Sequence, residues 1–78
     1  MDKDKLVSVM YLNGDTQFML AEALGITRTT LSAKINGRAS FTQPEISSIK
    51  KRYHLTAEQI EDIFFTDNVS KQDTKSAP

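Results

Sequence analysis

Gln17-Phe-Met-Leu-Ala-Glu-Ala-Leu-Gly-Ile-Thr-Arg-Thr-Thr-Leu-Ser-Ala-Lys-Ile-Asn-Gly-Arg38 holds two short helical patterns on either side of a tight turn. Leu20, Ala21 and Leu24 recur at helical spacing behind Thr16, whose hydroxyl suits an N-cap. Gly25 ends that segment, as a glycine after a helix commonly does. Thr27 offers a second N-cap and opens a helix from Arg28 to Ile35, which Asn36-Gly37 closes. Only Gly25-Ile26-Thr27 separates the two helices. So short a turn makes them cross steeply, whereas a long loop would let them lie antiparallel. Ile26 is the one large apolar group in the turn and is expected to plug the angle. Ala21 is small where the two helices approach.

The second of these helices has one inner stripe and one broad polar face. With Leu31 at zero on a helical wheel, Ile35 falls at about 40°, at roughly 100° per residue. Arg28, Ser32, Asn36, Thr29 and Ala33 then span an arc from about 60° to 200°. No large apolar side chain interrupts that arc. Short side chains let such a helix sink into a DNA groove, while an arginine and hydroxyls supply hydrogen-bond donors. Arg28 stands at the end of the helix that points at base edges in a groove-reading arrangement. Gln17, at the start of the preceding helix, is placed toward a phosphate or a base. Free backbone N–H groups at that start, beside Thr16, suit a phosphate as well. Asn36, Arg38, Ser40 and Thr42 follow the polar helix and are placed to meet the sugar-phosphate backbone.

Working outward, Leu6, Val7 and Met10 predict a first helix over roughly residues 2–12, with Asn13-Gly14-Asp15 as its turn. Thr42 and Glu45 have the spacing of a capping box, with Pro44 acceptable in the first turn. Ile46, Ile49 and Tyr53 follow as an inner face, and His54 reads as a helix C-terminal residue suited to the dipole. Thr56 and Gln59 repeat the capping-box spacing before Ile60, Ile63 and Phe64. The expectation is an all-α domain of five helices over residues 1–66. Residues 67–78 have one large apolar residue and no periodicity, and read as a disordered, flexible tail.

Seventy-eight residues give one domain with a modest core. The chain has no cysteine and a single histidine, so neither disulfides nor a His/Cys metal cluster is expected. No apolar run nears the roughly 20 residues of a membrane span, and no signal-peptide pattern follows the N-terminus. A cytoplasmic protein with no membrane and no small-molecule ligand is the expectation. The net charge is zero, but its distribution is uneven. Residues 1–26 carry two lysines against four acids, a net −2. Residues 27–54 carry six cations against Glu45, a net +5, and residues 55–78 carry two against five, a net −3. Lys50, Lys51 and Arg52 read as a solvated helix face, as do the acids Glu58, Glu61 and Asp62. No nucleophile–base pair, glycine-rich phosphate loop or metal-ligand cluster appears, so catalysis has no support and no cofactor is expected.

The pattern Leu20-Ala21-x-x-Leu24-Gly25-Ile26-Thr27-x-x-x-Leu31-x-x-x-Ile35-Asn36-Gly37 resembles the helix-turn-helix signature of the Cro and lambda-type repressor family. The resemblance covers about residues 5–65. Its closer flavour is similar to small regulators of temperate phages of Gram-positive bacteria, which set the choice between lysogeny and lytic growth. It implies a lambda-repressor-like fold and a double-stranded operator as partner. By the same resemblance Gln17, Arg28, Thr29, Ser32 and Ala33 fall on base-reading positions, and Asn36 and Arg38 on backbone-contacting ones.

Two features point toward protein partners. Phe18 lies beside Glu22 on its helical wheel, away from Leu20 and Leu24, and either packs on the first helix or, with Met19, meets another protein. Ile63, Phe64 and Phe65 cannot all face one small core, so the last helix is the natural homodimer surface. The chain therefore has two functional readings. One is a DNA-reading regulator, used as a dimer on a pseudo-palindromic site. The other is a modulator or antirepressor that forms a complex with the cognate phage repressor, its acidic ends suiting a basic partner surface.

Overall fold

The computed structural model describes residues 1–65 and places five helices in them: α1 (Lys3–Leu12), α2 (Gln17–Leu24), α3 (Arg28–Ile35), α4 (Gln43–Arg52) and α5 (Ala57–Phe64). No strand occurs among the described residues, and the tail expected from residue 67 lies outside them. No helix among them is long and apolar enough to cross a membrane.

Each helix starts on a side-chain oxygen that accepts from a backbone N–H three residues on. Asp2, Thr16, Thr27, Thr42 and Thr56 take the N–H groups of Lys5, Met19, Thr30, Glu45 and Gln59. These bonds satisfy donors that have no partner inside the helix. At α4 and α5 the box closes in both directions, as the Thr-x-x-Glu and Thr-x-x-Gln spacings predict. The ends of the first four helices share a pattern too. Asp15, Ile26, Arg38 and Leu55 donate their N–H groups to the carbonyls of Met10, Ala21, Ala33 and Lys50, five residues back. The residue before each donor has positive φ, as this terminus requires. Three are glycines, but the fourth is His54, at φ 55°. His54 thus marks a turn beyond α4, where the sequence suggested a dipole-favoured helix end.

α2 and α3 form the closest helix pair, and α1 packs on α5. The core takes two residues from each helix: Leu6 and Met10, Leu20 and Ala21, Leu31 and Ile35, Ile46 and Ile49, Ile60 and Ile63, joined by Tyr53 and Leu55. Both inward residues of α3 are fully buried, each worth roughly 1.5–3 kcal/mol relative to exposure. That anchoring fixes which face of α3 looks outward. Ile26 packs against the core from the α2–α3 turn, as expected, while Leu24 and Phe64 pack at its margin and stay partly exposed. Phe41 meets Phe64 edge-on, ring centroids 5.4 Å apart, and ties the α3–α4 loop to α5.

The inner face of α1 differs from the expectation. Val7 is 39% exposed, and Val9 packs against the core instead. Val9 lies one residue before Met10 and three after Leu6, on the opposite side of the stripe from Val7. Both valines have acceptable helical spacing, and only the position of the other helices chooses between them.

Candidate nucleic-acid interface

Turning Leu31 and Ile35 inward presents the polar arc of α3 to the outside. Arg28, Thr29 and Asn36 are exposed, and Ser32 and Ala33 are partly covered. Arg28 is the first residue of α3, and Gln17 is the first of α2. Gln17 is partly covered, whereas Thr16 beside it is exposed. The Thr16 hydroxyl accepts from Met19 N at 3.1 Å and keeps its own proton free to donate. Beyond α3, Arg38, Ser40 and Thr42 are all exposed. Thr42 accepts from Glu45 N, and the Ser40 carbonyl accepts from Lys34.

Asn36 is held from two sides. Its Nδ2 donates to the Ser32 carbonyl at 2.8 Å and approaches Ser32 Oγ at 3.3 Å. Its Oδ1 accepts from Lys3 Nζ at 2.8 Å, across 33 residues of chain. Sequence reading did not bring Lys3 to this edge, because nothing local to residues 1–5 points at α3.

The basic middle of the chain is sorted by the fold. Lys34 turns away from the polar arc and donates to Glu45 Oε1 at 2.9 Å and to the Ser40 carbonyl at 2.9 Å. Its ammonium also lies 5.9 Å from the Phe41 ring centroid. Burial pushes the Glu45 carboxyl up, but Lys34 and the Thr42 backbone bond outweigh it and hold it below its usual range. Arg52, expected on a solvated face, instead grips Asp15 with two bonds of 2.7 and 2.8 Å. Tyr53 Oη donates to the same carboxylate at 2.5 Å. Arg52 and then Tyr53 hold the Asp15 carboxyl below its usual range against the opposing effect of burial. Burial, then Asp15, pushes the Tyr53 hydroxyl above the ordinary phenol value, so it remains a donor. Lys5 pairs with Asp62 at 2.6 Å on the surface.

Three cations are therefore neutralised within the fold. Among the described residues Lys3, Arg28, Arg38, Lys50 and Lys51 face no carboxylate at ion-pair distance. Arg28 and Arg38 bracket α3, and Lys3 reaches it through Asn36. Lys50 and Lys51 remain on the last turn of α4, as expected of a solvated face. No group of three His, Asp or Glu side chains among the described residues is arranged to hold a metal ion.

The side chains expected to meet a protein partner lie on two surfaces. Phe18 is 62% and Met19 is 42% exposed, so Phe18 is not absorbed by packing on α1. Glu22 is exposed one turn beyond Phe18. Tyr11 and Leu12, both 81% exposed, occupy the last turn of α1 just before this surface. Their signal in the sequence was faint: two apolar residues out of phase with Leu6 and Met10. Phe65, 53% exposed, lies at the other end of the chain's path, just after α5. Compared with known proteins, the chain matches no family model, no curated protein and no solved structure.

Proposed function

We propose that this protein is a sequence-specific regulator that reads double-stranded DNA, with α3 lying in the major groove and the start of α2 against the backbone. The carrying observation is the sorting of charge on α3. Lys34 is drawn inward to Glu45, while Arg28 and Arg38 stay uncommitted at the two ends of an exposed face of small polar residues. A groove reader needs a cation where the helix enters and no bulky apolar group along the reading face. In this reading Gln17, Arg28, Thr29, Ser32 and Ala33 face bases, and Thr16, Asn36, Arg38, Ser40 and Thr42 face the sugar-phosphate backbone.

In line with the sequence resemblance to Cro and lambda-type repressors, the proposed activity belongs to a temperate phage's lysogenic–lytic switch, inside the bacterial host's cytoplasm. One such domain reads few base pairs, so the operator would be pseudo-palindromic and filled by a homodimer. The test is binding of the purified chain to the DNA upstream of its own gene at two salt concentrations. Tight binding that falls steeply with salt is expected, and Arg28→Ala should weaken it by about 5- to 150-fold, the value of one good base contact. Salt-independent or negligible binding of the wild-type chain rules the reading out.

The exposure of Phe18 favours a second reading, in which the chain modulates the phage repressor through a protein complex built on Phe18, Met19 and Glu22. Under it, repressor binding to its operator changes when the chain is added, Phe18→Ala abolishes that effect, and Arg28→Ala spares it. An unchanged repressor titration removes this reading.

A further inference from the structure

We infer that Lys3, at the start of α1, is a phosphate-contacting residue of the DNA-binding edge, pre-oriented by Asn36 at the end of α3. The inference rests on the DNA-reading proposal above and extends it to a helix outside the α2–α3 unit.

The first turn of α1 is fixed from two directions. Asp2 N donates to the Ile63 carbonyl at 2.7 Å, tying this turn to the end of α5. The Asp2 carboxylate accepts from Lys5 N and caps the helix. From this anchored position the Lys3 side chain crosses to α3 and donates to Asn36 Oδ1. Asn36 lies on the polar arc, and its Nδ2 is already committed to Ser32 on the same face. The ammonium of Lys3 thus stands at the C-terminal end of the reading face.

The chemistry of the partner is what separates Lys3 from the other engaged cations. Lys5, Lys34 and Arg52 each meet a carboxylate, which cancels their charge toward any outside anion. Asn36 offers a neutral amide oxygen. It orients the ammonium and leaves the positive charge intact. A lysine ammonium has three N–H donors, and Asn36 takes one. Two remain for a phosphate. Holding the long side chain in advance also lowers the rotamer entropy that contact would otherwise lose on binding. Asp4, with Asp2, Lys5, Gln59 and Asp62, lines the groove between α1 and α5, and no carboxylate among the described residues lies at ion-pair distance from Lys3.

The experiment titrates the full chain onto a mixed-sequence B-form duplex, and onto its own upstream DNA, across a KCl series. Lys3→Met keeps the aliphatic stem and removes the charge. It should reduce the slope of log affinity against log salt by about 0.9, the loss of one phosphate contact. Between 50 and 200 mM KCl the wild type should then lose about 3-fold more affinity than Lys3→Met. The loss should be equal on both duplexes, since a phosphate contact carries no sequence information. Lys3→Arg should keep the wild-type slope. Wild-type binding with the same salt slope in Lys3→Met overturns the assignment of Lys3 alone and reduces the Asn36 contact to a tether between helices. Absence of salt-dependent wild-type binding overturns the DNA reading, and Lys3 with it.

Discussion

Replacing Asp15 by alanine should destabilise the protein by about 3 kcal/mol, and the structure says where that loss arises. The Asp15 side chain is 4% exposed and accepts from Arg52 Nε, Arg52 Nη2 and Tyr53 Oη. Removing it leaves the Tyr53 hydroxyl without its acceptor in a buried position, a cost of about 1–3 kcal/mol. Arg52 is 35% exposed, so its guanidinium returns to water, and the lost ion pair contributes only about 1 kcal/mol. A domain of this size has roughly 3–10 kcal/mol in total. At about 4–8 °C per kcal/mol, the melting temperature should fall by about 12–24 °C. Tyr53→Phe alone should cost about 1 kcal/mol, and the double variant should be less destabilised than the sum, since the two share one bond.

The acid side of the stability profile gives an independent reading. Because the Asp15 carboxyl is held low in the folded state, its contribution is full above the unfolded value of about 3.9. It is lost as the pH falls through the lower folded value. Asp15→Ala should therefore flatten part of the acid limb while lowering the plateau near neutral pH. Urea titrations between pH 2 and pH 7 measure both. A loss below about 1 kcal/mol at pH 7, or strict additivity with Tyr53→Phe, would falsify the account of this carboxylate as the joint between the α1–α2 turn and the end of α4.

Three further outcomes are expected. Gly25 sits at φ 74° with nothing within 4 Å of an added Cβ, so Gly25→Ala should cost about 1–2 kcal/mol from backbone strain alone. His54→Gly, at the matching position after α4, should be neutral or stabilising by up to about 1 kcal/mol; a clear loss in urea midpoint would show that the His54 side chain makes a contribution of its own. Phe65→Ala should leave stability within about 0.5 kcal/mol, as for an exposed residue, but shift sedimentation toward monomer. An unchanged sedimentation profile would remove α5 as the self-association surface.

The elements of this fold were legible because their signals are local. Thr16, Thr27, Thr42 and Thr56 cap helices through bonds that span three residues, and Gly14, Gly25 and Gly37 end them through backbone angles set residue by residue. The inward pairs Leu31–Ile35 and Ile46–Ile49 follow from helical period alone. The polar arc of α3, and with it the candidate reading face, was legible for the same reason. Choosing Val9 over Val7 was not, because both fit the period and only the other helices break the tie.

Charge shows the division most clearly. A basic middle between acidic ends, and a helix whose outer face carries Arg28 and small polar groups, are readable from the order of residues alone; that order is silent on which cations stay available. Lys34 is spent on Glu45, Arg52 on Asp15 and Lys5 on Asp62, while Lys3 arrives at Asn36 with its charge intact. These partners stand 11, 37, 57 and 33 residues apart. Helical periodicity reaches about one turn, or four residues, so it is silent at those separations. Only the tertiary packing that brings α1 to α5 and to the end of α3, α3 to α4, and the α1–α2 turn to the end of α4 sets these groups within bonding distance, and so decides which charges remain free to meet a partner.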